Sequence, residues 1–449
     1  MITPASAAAP DAPAFAAAVE ERLGATREGW LADRRRAAWD AFSTMPMPSS
    51  QRDEDWRRTD VSKLRLEDFH SADASDETLV NASRDRRDRA IPDAALLIDA
   101  PPVTRIDQSD ALTAAGVVLT SLDEAATLHG DLVERALGRV GVGESSFVAL
   151  WNALWAGGAF IYVPRSVEAS VPVWVAHSVA GDHAATFPAT VVVLEDNASL
   201  TLVDDYLSAD NDDQLFSDAI TIVVAGRGAR LDHCILQQWG AGAWHVALHR
   251  TLLEQDARLR MFGATLGSRL QKSYWQVLLE GRGAEANIAG VAFGDKAQHL
   301  DHQSLQAHRA PETTSRFALK AAVRDRARSV YSGLIDVDRE APKTDAYVQN
   351  RNLILSHEAT ADSIPRLEIR ANDVRCGHGA TAGHIDDEQR FYLMARGVPL
   401  EEADKLIVRG FMDDVLGRVP LSGVRELLGE LLDAEIAGHT QAGLAEASA

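Results

Sequence analysis

The first part of the chain has the hydrophobic pattern of amphipathic helix. Apolar side chains recur at about helical spacing between Pro13 and Met45, with glutamate and arginine between them. A proline-rich stretch up to Ser50 ends this pattern. The region that follows is less regular, with weak strand signals at 95–98 and 116–120. We therefore predict a helical and mixed N-terminal domain over residues 1–146.

From about Phe147 the pattern changes to short runs of valine, isoleucine and leucine separated by brief polar turns, which is typical of β-structure. A strand, a turn, a small residue and a second strand recur several times. The small residues are Ala198, Ala229, Ala257, Ala284, Ala327 and Ala359. A repeat of about 30 residues indicates coils that bury their apolar faces by stacking. A solenoid is favoured, and an antiparallel sandwich of evenly sized hairpins stays open as the alternative.

Residues that typically begin and end helices reappear after the repeats. Asp386 is a predicted N-cap, and Gly397 is a predicted end for that helix. A second helix is expected to begin near Pro399, and a third is expected over 424–436. The alanine-, glycine- and glutamate-rich tail beyond them is predicted to be disordered. The expected fold is thus mainly β, with a core over 147–384 and a C-terminal helical domain with a flexible tail over 385–449.

The composition narrows the class of protein. The 449 residues have a formal net charge of −21, which argues against a general nucleic-acid or anionic-membrane binder. Two cysteines favour a reducing compartment over a disulfide-rich secreted protein. The N-terminus lacks a signal-peptide pattern, so we expect a cytoplasmic protein. The run Arg84 to Arg89 alternates basic and acidic residues, and we predict a solvated loop there.

Cys376 and His378 are the residues with the clearest potential for metal chemistry. On a strand, a spacing of two places both side chains on one face. Thiolate and imidazole suit iron or zinc, but two ligands do not make a stable structural site. Either a partner supplies the remaining ligands, or the pair is a half-buried thiol beside a hydrogen-bonded histidine.

Other candidates have simpler interpretations. Cys234 is expected to be buried as a small apolar residue. His299, His302 and His308, near Asp301, are expected to be hydrogen-bonded turn histidines, because their spacing fits no helical ligand pattern. The sequence contains neither a phosphate-binding GxxxxGK[ST] loop nor a GxSxG elbow, and we find no carboxylate constellation typical of a β-helix enzyme. We therefore expect a protein without catalytic residues.

The motif Arg-Cys-Gly-His-Gly-Ala-Thr-Ala-Gly at 375–383 resembles the C-terminal signature of the SufB/SufD family of iron–sulfur cluster assembly proteins. Segments 341–346 and 361–369 resemble the family's upstream pattern, and 53–60 resembles the N-terminal element typical of SufD. Two departures indicate the SufD branch. The SufB pattern has glutamate where this chain has Gly379, and cysteine where it has Asn350.

The resemblance implies a right-handed parallel β-helix between helical domains, acting as a non-catalytic scaffold in the SufBCD complex. The implied partners are SufB and two copies of the ATPase SufC, with iron or a nascent iron–sulfur cluster held transiently at the SufB interface. It places His378 at that interface, with Cys376 nearby, as metal ligands shared with the partner. The implied SufC-binding residues are Phe391, Tyr392, Arg396, Val398, Ala403, Gly410 and Phe411. No intrinsic cofactor is expected, and flavin binding stays open. The alternatives are a homodimeric β-helix structural protein and a β-helix carbohydrate-active enzyme.

Overall fold

The computed structural model describes residues 13–26, 29–72 and 74–438. The predicted disordered tail falls mostly outside these residues, as does the start of the chain before Pro13. The helices are α1 (Pro13–Thr26), α2 (Trp30–Thr44), α3 (Glu77–Ala90), α4 (Asp110–Ala114), α5 (Leu122–Leu128), α6 (Gly130–Leu137), α7 (Ser146–Leu154), α8 (Asp387–Met394), α9 (Leu400–Leu416) and α10 (Ser422–Ala437). Single 3₁₀ turns occur at Glu54–Trp56 and Leu66–Asp68.

The strands of the irregular region and the first coils are β1 (His70–Ser71), β2 (Ala95–Ala100), β3 (Val103–Asp107), β4 (Val118–Ser121), β5 (Ala159–Val163), β6 (Val173–Val179), β7 (Ala184–Thr186), β8 (Ala189–Leu194), β9 (Ser199–Ser208), β10 (Leu215–Ala225) and β11 (Arg230–Gln238). The later strands are β12 (Ala243–Leu253), β13 (Arg258–Thr265), β14 (Leu270–Leu279), β15 (Glu285–Gly294), β16 (His299–His308), β17 (Thr314–Val323), β18 (Arg328–Val337), β19 (Asp345–Ile354), β20 (Thr360–Ile369) and β21 (Arg375–His384).

Two sheets face each other along a solenoid of about eight coils. The first sheet has the order β20-β18-β16-β14-β12-β10-β8-β5-β4, and the second has the order β21-β19-β17-β15-β13-β11-β9-β6-β2-β3. Each strand from β8 to β19 pairs in parallel with the strand two positions later in sequence. Parallel pairing requires a crossover between strands, so the solenoid is confirmed and the antiparallel sandwich is wrong.

The repeated alanines occupy two positions of the coil. Ala198, Ala229, Ala257 and Ala284 are fully buried immediately before strands of the second sheet. Ala327 and Ala359 are also buried, but they precede β18 and β20 of the first sheet. The longer interval in the sequence repeat therefore marks a change from one sheet to the other, and the solenoid itself continues without a break.

Five N-terminal helices, α1, α2, α5, α6 and α7, cover the outer face of the first sheet, whereas α3 packs on the second sheet. Trp56, in its 3₁₀ turn, stacks on Phe147 of α7 with ring centroids 5.5 Å apart. Beneath it, the fully buried Lys272 Nζ lies 2.5 Å from the Asp301 carboxylate and 2.7 Å from the Asp55 carbonyl oxygen. Thr59 donates a hydrogen bond to the same Asp301 carboxylate. A buried ion pair with additional hydrogen bonds thus fixes segment 53–60 on the sheet.

The arginine-rich run is not the solvated loop that its composition predicts. Residues 84–89 lie within α3, where Arg86 is 8% exposed. Its guanidinium lies 2.9 Å from the Asp205 carboxylate, which is fully buried on β9. The loop prediction is wrong because a partner 119 residues away compensates the buried charge.

The histidines near Asp301 lie on β16 and not in turns, so that part of the interpretation is also wrong. They are nevertheless hydrogen-bonded, as expected. His299 and His302 contact the Thr59 and Thr265 hydroxyl groups at 2.9 and 3.0 Å, and His308 contacts the hydroxyl groups of Thr313 and Ser315. Burial lowers the pKa of each to about 4. Cys234 is fully buried, as predicted.

The C-terminal helices form as the predicted cap residues indicate. The Asp386 carboxylate accepts a hydrogen bond from the Glu388 amide at the start of α8, and Gly397 has the positive φ of 88° that ends it. The predicted third helix is α10. Among the described residues, no helix is long and apolar enough to cross a membrane. The division of the chain at residues 146 and 384 stays a prediction.

Candidate functional site at the open end of the solenoid

The last coil leaves two strand edges open. β20 pairs with β18, and β21 pairs with β19. On their other side, no strand within 13–26, 29–72 or 74–438 pairs with either of them. An unpaired edge presents a row of backbone N–H and C=O groups to any strand that can align with it.

Cys376 and His378 lie on the inward side of this last coil. In the register of the second sheet they align with Ala346 and Val348, which are both buried in the interior of the solenoid. Because aligned residues of paired strands share a face, the two side chains lie on one face, as the spacing predicts. Cys376 is half-buried against that interior, and His378 is exposed because no further coil covers it.

The protein environment does not activate the Cys376 thiol. Burial raises its pKa, and the nearby Asp345 carboxylate raises it further, against an opposing hydrogen bond from the Ala346 backbone. The thiol is therefore protonated at neutral pH. Since a metal ion binds the thiolate, a ligand role requires positive charge or a metal brought by a partner.

No group of three or more histidine, cysteine, aspartate or glutamate side chains is arranged to hold a metal ion in the part of the chain that the structure describes. The motif thus supplies one cysteine and one histidine, which are too few ligands for a complete metal site. The metal site shared with a partner stays a prediction, because the remaining ligands would have to come from outside this chain.

The two glycines of the Cys-Gly-His-Gly motif have a packing role. Tyr347 of β19 aligns with Gly377 across the sheet, and its ring lies on the outer face beside both glycines. A Cβ atom at Gly377 would lie 3.3 Å from the ring, and one at Gly379 would lie 2.9 Å from the hydroxyl oxygen. Larger residues here would displace the ring.

Sequence reasoning missed Tyr347, although it directly follows segment 341–346, which resembles the family's upstream pattern. It also missed His357, in the turn before β20. The His357 ring lies 6.3 Å from the ring of His384 at the end of β21. The open end therefore carries two further imidazoles, one in the turn before β20 and one at the last residue of β21, which belong to no common motif.

Asn350 is engaged in hydrogen bonds inside the solenoid. It is 1% exposed on β19, and its amide nitrogen lies 3.3 Å from the Leu319 carbonyl oxygen. Its amide oxygen accepts a hydrogen bond of 2.7 Å from Asn352. It aligns with Ala380, two residues from His378 along β21. The position that holds a cysteine in the SufB pattern thus holds a structural amide.

The residues suggested for an ATPase contact divide into two groups. Phe391 and Tyr392 of α8 are 72% and 56% exposed, and the Arg396 guanidinium lies 3.7 Å from the centre of the Tyr392 ring. Ala403, in contrast, is fully buried. Phe411 is half-buried, and its ring lies under the Lys320 ammonium at 4.7 Å.

Gly410 and Val398 lie nearer the surface. No described atom lies within 4 Å of a Cβ built at Gly410, so close packing inside this chain does not explain the glycine. Val398 is half-buried after α8. The exposed part of the proposed contact is therefore centred on α8 and on the Gly410 side of α9.

Two family models match the chain. The N-terminal region of SufBD proteins matches residues 17–175, and the SufBD core domain of the SUF system for iron–sulfur cluster assembly matches residues 177–411. The β-solenoid with its open last coil is thus the core of a protein of the SUF system.

Curated relatives agree over nearly the whole chain. An iron–sulfur cluster assembly SufBD family protein of Staphylococcus haemolyticus is 26% identical over 414 residues, covering 89% of this chain and 88% of the relative. The iron–sulfur cluster assembly protein SufB of Bacillus subtilis is 25% identical over 407 residues, with the same shares covered. The chain belongs to the SufBD family of iron–sulfur cluster assembly proteins.

Proposed function

We propose that this chain is the SufD-type subunit of a SUF assembly complex, a scaffold without turnover that pairs with a SufB-type subunit and binds the ATPase SufC. The observation that carries the proposal is the open last coil, with Cys376 and His378 on its inner face and a buried amide at Asn350. This coil offers metal ligands to a shared site, but it lacks the thiol on which SufB would hold a cluster.

The open edges support pairing with another β-solenoid. Leu367 and Ile369 of β20 are 37% and 40% exposed, so apolar side chains accompany the unpaired backbone. A strand that adds to such an edge gains main-chain hydrogen bonds and buries these side chains. An edge of this kind also fits a second copy of the same chain, and self-pairing in the absence of SufB is the second candidate.

In this proposal, iron is cargo and not a resident cofactor. His378 would contribute a neutral imidazole at the interface, and Cys376 would contribute a thiolate once the metal displaces its proton. The other ligands would come from the SufB-type subunit. Contact with SufC at the exposed Phe391, Tyr392 and Arg396 would then couple ATP-driven motion of SufC to this interface.

Affinity purification tests the proposal. The tagged full chain, co-expressed with its genomic neighbours, is expected to recover both a SufB-type protein and an ATPase with a GxxxxGK[ST] loop. Recovery of neither would reject the proposal. Recovery of only a second, untagged copy of the chain would favour the homodimer, and an unrelated tagged protein serves as the control for non-specific capture.

A further inference from the structure

A cleft of about 750 Å³ lies away from the open end, between the N-terminal segment and the outer face of the first sheet. Its walls come from the stretch 45–56, the start of α7, and strands β10, β12 and β14. Trp56, Phe147 and Tyr274 supply aromatic surface. The cleft is therefore partly apolar and large enough for a small organic molecule.

Asp218 lines this cleft without a partner. It lies on β10 between Phe216 and Ile220, which pack against the N-terminal helices, so its side chain is on the outer face of the sheet. The residue is 2% exposed, and its Oδ2 atom makes no hydrogen bond. Burial alone raises its pKa well above the ordinary value, and no neighbouring charge offsets this. A buried carboxyl group without a hydrogen-bond or charge partner destabilises the fold unless a bound ligand supplies that partner.

The charge of the cleft indicates what that ligand would be. Five carboxyl groups line it against two guanidinium groups; they are Asp53, Glu54, Asp55, Glu144 and Asp218, with Arg52 and Arg250. Arg250 is already neutralised, because its two terminal nitrogens lie 2.9 and 2.7 Å from the Glu144 carboxylate. Lys272, behind the Trp56 and Tyr274 rings, is neutralised by Asp301. Glu54 and Asp55 lie 3.6 and 3.5 Å from the Arg366 guanidinium. Asp53 and Asp218 then remain against the single guanidinium of Arg52, so a cationic ligand is the one that would compensate the Asp218 carboxylate.

We infer that this cleft is a binding site for a primary ammonium compound with an aromatic or apolar body, whose ammonium group pairs with the Asp218 carboxylate. The aromatic walls would contact the body of the ligand and add cation–π attraction. Pairing with a cation ionises Asp218, so binding at mildly acidic pH releases a proton to the buffer. The other titratable or charged groups around the cleft are Arg52, Asp53, Glu54, Asp55, Glu144, Arg250, Lys272 and Tyr274. This site is independent of the proposed scaffold function.

Isothermal titration calorimetry of the purified full chain with 2-phenylethylamine tests the inference. We expect binding that weakens at least about tenfold in Asp218→Asn, because truncation of one partner of a buried charged pair has a large effect on affinity. The neutral analogue 2-phenylethanol is expected to bind the two proteins equally. Asp93→Asn, which changes an exposed carboxyl outside the cleft, is the matched control.

A second measurement does not depend on any variant. At pH 6, the binding enthalpy of the wild-type chain should change with the ionisation enthalpy of the buffer, with the sign of proton release. Thermal unfolding of Asp218→Asn checks that it is folded. Absence of binding up to about 10 mM amine, equal affinity of a folded Asp218→Asn, or lack of proton release would each overturn the inference.

Discussion

Three residues decide what the open coil could contribute to the proposed metal site. His378 is exposed on the inner face of β21, and no hydrogen bond within the described residues engages its ring. Cys376 is half-buried and protonated, and Asn350 is held by two hydrogen bonds. Of the three, His378 is the side chain that a partner can reach without any rearrangement of this chain.

His378→Ala is therefore expected to abolish cluster formation in the assembled complex while leaving the isolated fold intact. Iron and acid-labile sulfide per complex measure the first effect, and thermal unfolding of the isolated chain measures the second. His70→Ala removes an exposed imidazole on β1, away from the open end, and serves as the control. Normal iron incorporation by His378→Ala would exclude this residue from the assembly site.

At the scale of elements, α8 contacts its own chain through the ion pair between Arg390 and Asp404 of α9, while α9 itself is anchored on the solenoid. Val408, Met412 and Val415 of α9 are buried, and Lys320 of β17 binds the Asp414 carboxylate and the Phe411 carbonyl oxygen. By contrast, no residue of α8 is buried among the described contacts. A helix that packs so little against its own chain is suited to packing against another.

Substitutions in these two helices are expected to have different effects. Phe391→Ala should weaken SufC binding at unchanged thermal stability, because its ring is mostly exposed. Phe411→Asp should also weaken SufC binding, but it should lower stability by about 2 kcal/mol as well, since it removes a half-buried ring. Calorimetry with SufC and urea unfolding measure the two effects. Unchanged affinity in Phe411→Asp would assign that residue to internal packing alone.

The type of an element was predictable where a local pattern of residues was sufficient. Contacts between residues far apart in the sequence were not predictable in this way. The alternating strands after Phe147 and the caps at Asp386 and Gly397 are local signals, and the corresponding elements form. The run 84–89 was wrongly predicted, because the Asp205 partner of Arg86 lies on a distant coil. The motif placed Cys376 and His378 on one face, but it gave no information on Tyr347 or His357, which reach the site through strand register and a turn.

At the scale of the whole molecule, buried histidines make the fold sensitive to acid. Burial lowers the pKa of five histidines, to about 3 for His245 and His249 and to about 4 for His299, His302 and His308. Between these values and about 6.5, the unfolded chain binds protons that the folded chain does not, so stability falls as pH decreases. Three buried acids with raised pKa values oppose this: Asp205, Asp218 and Glu435.

The histidines outnumber these acids, so the net effect is destabilisation below about pH 6.5. We expect the free energy of unfolding to fall by up to about 3 kcal/mol per pH unit, which corresponds to about two net protons. The urea midpoint at pH 5.0 should thus be lower than at pH 7.5. His249→Gln should show a smaller difference between the two pH values. A midpoint that is equal or higher at pH 5.0 would contradict the prediction.

The open last coil has a consequence for the local stability of the chain. In a solenoid each coil is stabilised by its nearest neighbours, and the coil formed by β20 and β21 has a neighbour on one side only. Its local opening therefore costs less free energy than that of any interior coil, and a bound partner raises this cost by mass action. The concentration of a partner then sets the fraction of molecules in which Cys376 and His378 belong to an ordered coil.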